Sequence, residues 1–333
     1  PLVGAGRDVN SDASVIRPVL DSQRGLAIAQ ALLPAYSAID AYHMTACSID
    51  EALRRLLAVG GTLDHVGGVD NFCWPSIQYD PVGNPDGRFK AAQLVRSCRA
   101  LKEMCLAYRI PLLSGKDSMY VDGNLPGRYG EVHRVSALET LQFTTIGVVD
   151  NVARCVSMDC KQAGDLVYVV GVTRDELGAS EYYEHLGHIG CNVPSVRPRE
   201  FLKHYAALEK AVAQQLVASV HGVYRGGMAV HLALVAIGGQ LGLQVDLDQV
   251  PSEEISRSDR LLFSESAGRF VITVAPEHRK LFEEIFSGLP CSCVGQVTEQ
   301  PTLTIDGLDG RNLISVQVAE LTAAWKKPFG DLI

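Results

Sequence analysis

Gly67-Gly68-Val69-Asp70-Asn71-Phe72-Cys73-Trp74-Pro75 reads as the end of a β-strand that runs from Val66 to Trp74 and leaves into a loop. Asp70 and Asn71 place polar groups at the end of a sheet, where sites gather, or else form a simple Asx turn. The next stretch, Ser76–Gly87, is rich in Pro, Gly, Asn and Asp and predicts a loop. Phe89–Tyr108 then carries apolar or small residues at 91, 94, 95, 98, 101, 105 and 106, the stripe of an amphipathic helix. Pro111-Leu112-Leu113 leads into Ser114-Gly115-Lys116-Asp117-Ser118.

Working outward, Arg24–Leu33 predicts a strand and turn. Ser48-Ile49-Asp50-Glu51 fits an S-x-x-E capping box before the apolar run Ala52–Val59, with Gly60-Gly61 as its stop. Residues 1–14 read as loop. Leu141–Val149 and Leu166–Gly171 predict strands, Glu200–Val220 and Gly226–Gly239 helices, Arg269–Val274 a strand and Pro276–Phe286 a helix. A fresh run of alternating units begins near residue 155, so two α+β or α/β domains are expected.

The bulk numbers agree with a globular chain. Its 333 residues suggest about two domains, and 47% hydrophobic with 20% charged residues is ordinary usage. The formal net charge of -8 argues against nucleic-acid binding, which needs a basic footprint. Nine irregularly spaced Cys predict free thiols in a reducing compartment. No signal peptide is visible, and Met228–Gly239 is too short and too interrupted, by His231 and two Gly, to span a membrane. A cytoplasmic protein is expected.

Several strings can carry chemistry. In Ser114–Ser118, Gly115 permits close approach of a ligand, Lys116 offers a point charge for phosphate, and Asp117 and Ser118 suit substrate or metal. A solvated turn is the alternative. It is not a Walker A loop, because Ile110 stands where Gly is required. Asp12 and Glu51 are candidate hard-cation ligands, although Glu51 also fits the cap. His221-Gly222-Val223-Tyr224-Arg225-Gly226-Gly227 precedes a helix and suits either an anion-binding N-terminus or a plain turn. His185, His188 and Cys191 have no fourth zinc ligand in view. Ser264–Arg269 suits a turn with a buried Glu–Arg pairing, or a ligand contact.

In order along the chain, Asp40-Ala41-Tyr42, Ala46–Arg55, Gly68–Pro75, Leu113–Met119, Asp165–Val172, Gly178–Tyr183, Gly226–Val230 and Leu262–Phe270 resemble one family. It is the phosphoribosylformylglycinamidine synthase family, and the likeness is to the second of its two aminoimidazole-ribonucleotide-synthetase-like repeats. The resemblance implies an α+β domain at 1–155 that contributes strands to a barrel between paired repeats, and an α/β domain at 156–333. It implies a ligase of purine biosynthesis that uses ATP, Mg²⁺ and ammonia to turn formylglycinamide ribonucleotide into the amidine. The implied partners are the N-terminal repeat, or a second copy of this chain, and a glutaminase subunit or domain. The family's catalytic His lies in the first repeat, so a fragment inactive alone is expected.

The same resemblance matches Gly115, Lys116, Asp117 and Ser118 to a loop reaching the active site and Asp70 to a nucleotide-contacting Asp. It matches Asp12 and Glu51 to Mg²⁺ ligands of an auxiliary nucleotide site. There the family's third ligand, Asn, is Arg55, and its H-D-x-S-D-G-G is His221–Gly227, with Arg225 in place of an acid. The two Arg either bind an anion directly or pair with Asp12 and Glu51 and close the site. Two other readings stay open: a non-catalytic pairing repeat, and another ATP-using enzyme of the superfold, such as aminoimidazole ribonucleotide synthetase, selenophosphate synthetase or thiamine-phosphate kinase.

Overall fold

The computed structural model describes residues 2–328. In chain order the first part holds β1 (Leu2–Val3), β2 (Val9–Asn10), β3 (Ser14–Ile16), β4 (Gly25–Ala31), α1 (Pro34–Ser37), α2 (Ala41–Ala58), β5 (Val66–Cys73), α3 (Gly87–Tyr108), β6 (Leu112–Ser118), β7 (Asp122–Pro126), β8 (Val132–Ser136) and β9 (Thr140–Val149). The second holds β10 (Leu166–Val170), α4 (Glu181–His185), α5 (Pro198–Ala213), β11 (Ser219–Gly222), α6 (Gly227–Gly239), β12 (Gly242–Asp246), α7 (Ser258–Phe263) and β13 (Phe270–Val274). It ends with α8 (Arg279–Ile285), β14 (Cys291–Thr298), β15 (Thr302–Asp306), β16 (Asn312–Gln317) and α9 (Val318–Lys326).

A five-stranded sheet has the order β3-β4-β9-β5-β6, and a seven-stranded sheet the order β11-β13-β10-β14-β12-β15-β16. Each is antiparallel except at one pair, β5 with β6 in the first and β12 with β15 in the second. Among the described residues, helices cover only one face of the five-stranded sheet. Along β4 and β9, period-two alternation turns Ala27, Ala29, Ala31, Leu141, Phe143 and Thr145 inward, whereas Leu26, Ile28, Gln142, Thr144, Ile146 and Val148 lie on the open face. The alanines let α2 approach closely, and a Cβ on Gly147 would stand 2.7 Å from Leu56 Cδ1.

Helix α2 is buried on nearly every side, because β4 and β9 cover one flank and α5 and β11 another. Its N-cap is Asp40, whose carboxylate accepts from the N–H groups of Tyr42 and His43. The capping box expected at Ser48–Glu51 is therefore corrected: Ser48 is two turns inside the helix, and its hydroxyl donates back to the Met44 carbonyl at 2.9 Å. The apolar run at 52–59 is the second half of a longer helix whose first half carries few large apolar residues.

The seven-stranded sheet is covered on both faces. Tyr168, Val170, Phe270 and Ile272 pack with α5 and α8, and Val167, Val169 and Val271 pack with α6 and α7. Strand β13 is buried throughout, which matches its unbroken Phe-Val-Ile-Thr-Val sequence. The N-terminal strap, read as loop, forms β1 and β2 and lies on this second unit: Val9 joins its core, and the Ala5 N–H donates to the Gly238 carbonyl. The helix expected over Glu200–Val220 ends at Ala213, and Ser219–Gly222 is strand instead.

Candidate active-site strand and interdomain chamber

Ser114–Ser118 is not a turn. It belongs to β6, the last strand of the five-stranded sheet, paired in parallel with β5. Alternation then splits the string. Lys116 and Ser118 are register partners of Asn71 and Cys73 and share the open face with them; Lys116 donates to the Ser118 hydroxyl. Gly115 and Asp117 are partners of Asp70 and Phe72, on the face that α3 covers. Asp70 packs over Gly115, where a Cβ would come within 2.9 Å of its Oδ1. Burial, and then the neighbouring Asp117, push the Asp70 carboxyl up. Neither Asp70 nor Asp117 reaches the open face, so the five residues sort into two groups.

The second candidate region lies between the two units. A cleft of about 350 Å³ is lined at one end by Glu51, Arg55, His221, Tyr224, Arg225 and His231, and at the other by Leu32, Val230, Leu234 and Trp325. Asp12 lies beneath it, almost fully buried. Asp12 Oδ2 is 2.8 Å from His221 Nδ1, and its Oδ1 accepts from the Gly222 N–H and the Tyr224 hydroxyl. Burial pushes this carboxyl up, but His221, Tyr224 and Arg55 outweigh that and hold it below its ordinary value.

Glu51 Oε1 is 2.8 Å from the Arg55 guanidinium, which also lies 4.0 Å over the Tyr224 ring. The expected closure by Arg55 is thus what Arg55 does with Glu51. Arg225 differs from expectation. It turns away from Asp12 and Glu51 to Glu181 and Glu184, at 2.7 and 3.7 Å, because α4 brings two acids beside it. The N-terminus of α6 is occupied too: the Gly226 N–H donates to Glu265, which also takes the Glu181 N–H and the Tyr36 hydroxyl. Glu265 does not pair with Arg269, as the sequence suggested; the Arg269 guanidinium is satisfied by the Ser264 and Ser266 carbonyls and Thr173.

The chamber residues do not fit Mg²⁺. The ion takes several oxygen ligands in near-octahedral geometry. The oxygens of Asp12 are spent on His221, Gly222 and Tyr224, and Glu51 is held by a cation. Among the described residues no group of three or more His, Cys, Asp or Glu is placed to hold a metal, and His185, His188 and Cys191 form none. No described helix is long and apolar enough to cross a membrane.

Sequence reasoning missed Tyr36 and Glu181, which meet Glu265 from distant segments. A histidine inside the apolar helix Gly227–Gly239 was the available signal for His231.

A two-domain chain with a one-faced sheet, a two-faced sheet and a polar chamber between them has the AIR-synthase-related fold. Residues 162–307 match the family described as AIR synthase related protein, C-terminal domain. The chain is similar to phosphoribosylformylglycinamidine synthase subunit PurL of Thermoplasma volcanium, at 28% identity over 319 residues, 96% of this chain and 39% of that protein. PurL of Thermotoga maritima, solved with FGAR, superposes with a TM-score of 0.72 at 20% identity, covering 96% of this chain and 49% of that one. A HypE–HypF complex contains the same fold, with a TM-score of 0.63 at 16% identity over 92% of this chain and 93% of that one. The chain therefore spans about two fifths of the curated relative and about half of the solved PurL chain.

Proposed function

We propose that this chain acts as the second repeat of an ATP-dependent C–N ligase that converts formylglycinamide ribonucleotide and ammonia to formylglycinamidine ribonucleotide. The observation that carries the reading is the sequence likeness to PurL, which runs through 96% of the chain. The fold likeness reaches a chain of a HypE–HypF complex as well, so fold alone does not choose the reaction. In this reading residues 1–155 pair through their open sheet face with the first repeat, residues 156–333 support them, and a glutaminase subunit delivers ammonia. ATP is the phosphoryl donor, as the ATP complex of Thermotoga maritima PurL suggests. Any Mg²⁺ it brings binds away from Asp12 and Glu51.

Within this scheme Lys116 is the residue of the β6 string that meets a phosphate. It lies on the open face and its charge is free of any carboxylate partner among the described residues. Ser118 orients it. Asp70, Gly115 and Asp117 shape the strand from behind. The test is kcat/KM for amidine formation by the assembled synthase carrying Lys116→Ala. A loss of about a hundredfold or more is expected for removing a charge-assisted contact to a transferring phosphoryl group. Unchanged kcat/KM with intact assembly would favour the non-catalytic pairing repeat instead.

A further inference from the structure

Helix α3 turns much of its apolar surface outward. Its buried residues include Lys90, Gln93 and Ser97, and two of these are satisfied inside: Lys90 Nζ donates to Asn84 Oδ1 at 3.0 Å, and Ser97 shares a hydrogen bond with Thr45. Phe89, Val95 and Leu106 face solvent instead, 61%, 53% and 68% exposed. Clustered exposed apolar residues on one element mark a contact surface more often than scattered ones do.

The outer face carries a seam. Ala92, Val95, Arg99, Lys102, Leu106 and Arg109 follow one another at alternating spacings of three and four, and all six are exposed. That is the spacing by which one helix packs along another. At 1.5 Å per residue the seam runs for about 26 Å.

Its charges have one sign and are unpaired. Arg99, Lys102 and Arg109 have no carboxylate partner among the described residues. On the flank beside α2, by contrast, Arg96 pairs with Asp40 and Glu103 takes the Tyr42 hydroxyl. The chain as a whole has a formal net charge of -8, so this face opposes the bulk. A second copy is a poor occupant. In a twofold contact the same patch meets itself, which sets Arg99 and Lys102 against the same cations with no acid on the seam between them.

We propose that the outer seam of α3 docks one acidic amphipathic helix of a partner polypeptide. Apolar side chains of that helix lie over Ala92, Val95 and Leu106, and Asp or Glu faces Arg99, Lys102 and Arg109. The small Ala92 lets the two helices approach at one end, and the ion pairs fix register and direction. Helix α3 lies with α2 on the covered side of the five-stranded sheet, so this docking leaves the open face free. The inference goes beyond the synthase reading and does not rest on it, because its test reads binding and no turnover.

The probe is a labelled synthetic peptide of three heptads, with Leu along one stripe and Glu beside it, titrated with this chain by fluorescence anisotropy at low and high salt. The expected result is saturable binding, weakened about tenfold or more by Arg99→Glu with Lys102→Glu, and likewise by Leu106→Glu alone. Arg311→Glu, 86% exposed and off the seam, is expected to bind as the unsubstituted chain does. The same peptide with Lys in place of Glu is expected not to bind, and this arm needs no variant to fold. No saturable binding overturns the proposal, as does equal binding of the Lys peptide or an equal loss in Arg311→Glu. Full-strength binding by Leu106→Glu would reduce the contact to bare charge and overturn helix packing. Self-association of the chain that Leu106→Glu abolishes would give the seam to a second copy. Binding of an RNA oligonucleotide that the Arg99 and Lys102 substitutions abolish would give it to nucleic acid. Either result overturns the helix partner.

Discussion

The Tyr205 hydroxyl donates to Asp50 Oδ1 at 2.6 Å, joining residues 155 positions apart and fastening α5 of the second unit to α2 of the first. The same oxygen takes the Tyr108 hydroxyl from α3, and Asp50 Oδ2 takes Arg54 Nε at 2.7 Å. Arg54 reaches on to the Val223 carbonyl. Burial, then the Asp50 charge, push both phenols well above their ordinary value. Asp50 is therefore the centre of a buried network that spans the two units.

Removing one partner of such a network leaves the others desolvated. Asp50→Ala strands the Arg54 guanidinium and is expected to cost about 3–5 kcal/mol. Tyr205→Phe removes one hydrogen bond to a charged group, about 1.5–3 kcal/mol. Urea unfolding of both variants checks the order; equal, small losses would mean that the network does not join the units.

Acid stability follows from two neutral histidines. Burial lowers His204 from 6.5 to about 4, and lowers His231 well below 6.5. The unfolded chain takes up these protons below pH 6.5 and the folded chain does not, so stability is lost as pH falls from about 6.5 toward 4. His204 alone accounts for about 3 kcal/mol of that loss. His204→Phe is expected to flatten the slope in this window. An unaltered slope in the variant would show that His204 does not titrate as placed.

The start of α6 tolerates no side chain. Gly227 has φ +71, and a Cβ there would stand 2.6 Å from the Leu262 carbonyl oxygen. Both backbone strain and backbone contact oppose Gly227→Ala, which is expected to destabilise by more than about 1 kcal/mol. Thermal unfolding checks it; Gly123→Ala, which meets nothing within 4 Å, is the matched control.

Much of this fold was legible because long periodic segments declare themselves. The bounds of α3, β9 and β13 were read closely, but the stripe assigned to α3 was not its buried face: Lys90, Gln93, Ser97, Ala100, Met104 and Tyr108 are buried, whereas Val95, Cys98 and Leu106 are exposed. What misled was local chemistry with two meanings. Ser48 and Glu51 fit a cap in spacing but lie inside α2, and the polar residues of β6 look like a turn because that edge strand is exposed. The chamber was legible in its parts, Asp12, Glu51, Arg55 and Arg225, and in the pairing of Arg55 with Glu51, but not in its other pairings. Arg225 is held by Glu181 and Glu184 from a short helix that no periodicity announces, and β11 brings His221 to Asp12 across 209 positions. Contacts of that range leave no mark in spacing.

The open sheet ends in an apolar edge. Leu113 is 62% exposed and lies over Gly67 on the open side. A surface change away from a packed core alters stability by about 0.5 kcal/mol or less. Leu113→Glu should leave unfolding nearly unchanged and weaken association with a first repeat at least tenfold, measured by sedimentation. Association at full strength would place the pairing surface elsewhere.

The proposed function requires a first repeat to complete the ligase. The direct measurement is formylglycinamidine ribonucleotide formed from formylglycinamide ribonucleotide, ATP and ammonia, by the chain alone and after assembly with a first repeat. The expected result is no turnover alone and turnover on assembly. Turnover by the chain alone, or none by a verified assembly, would contradict it.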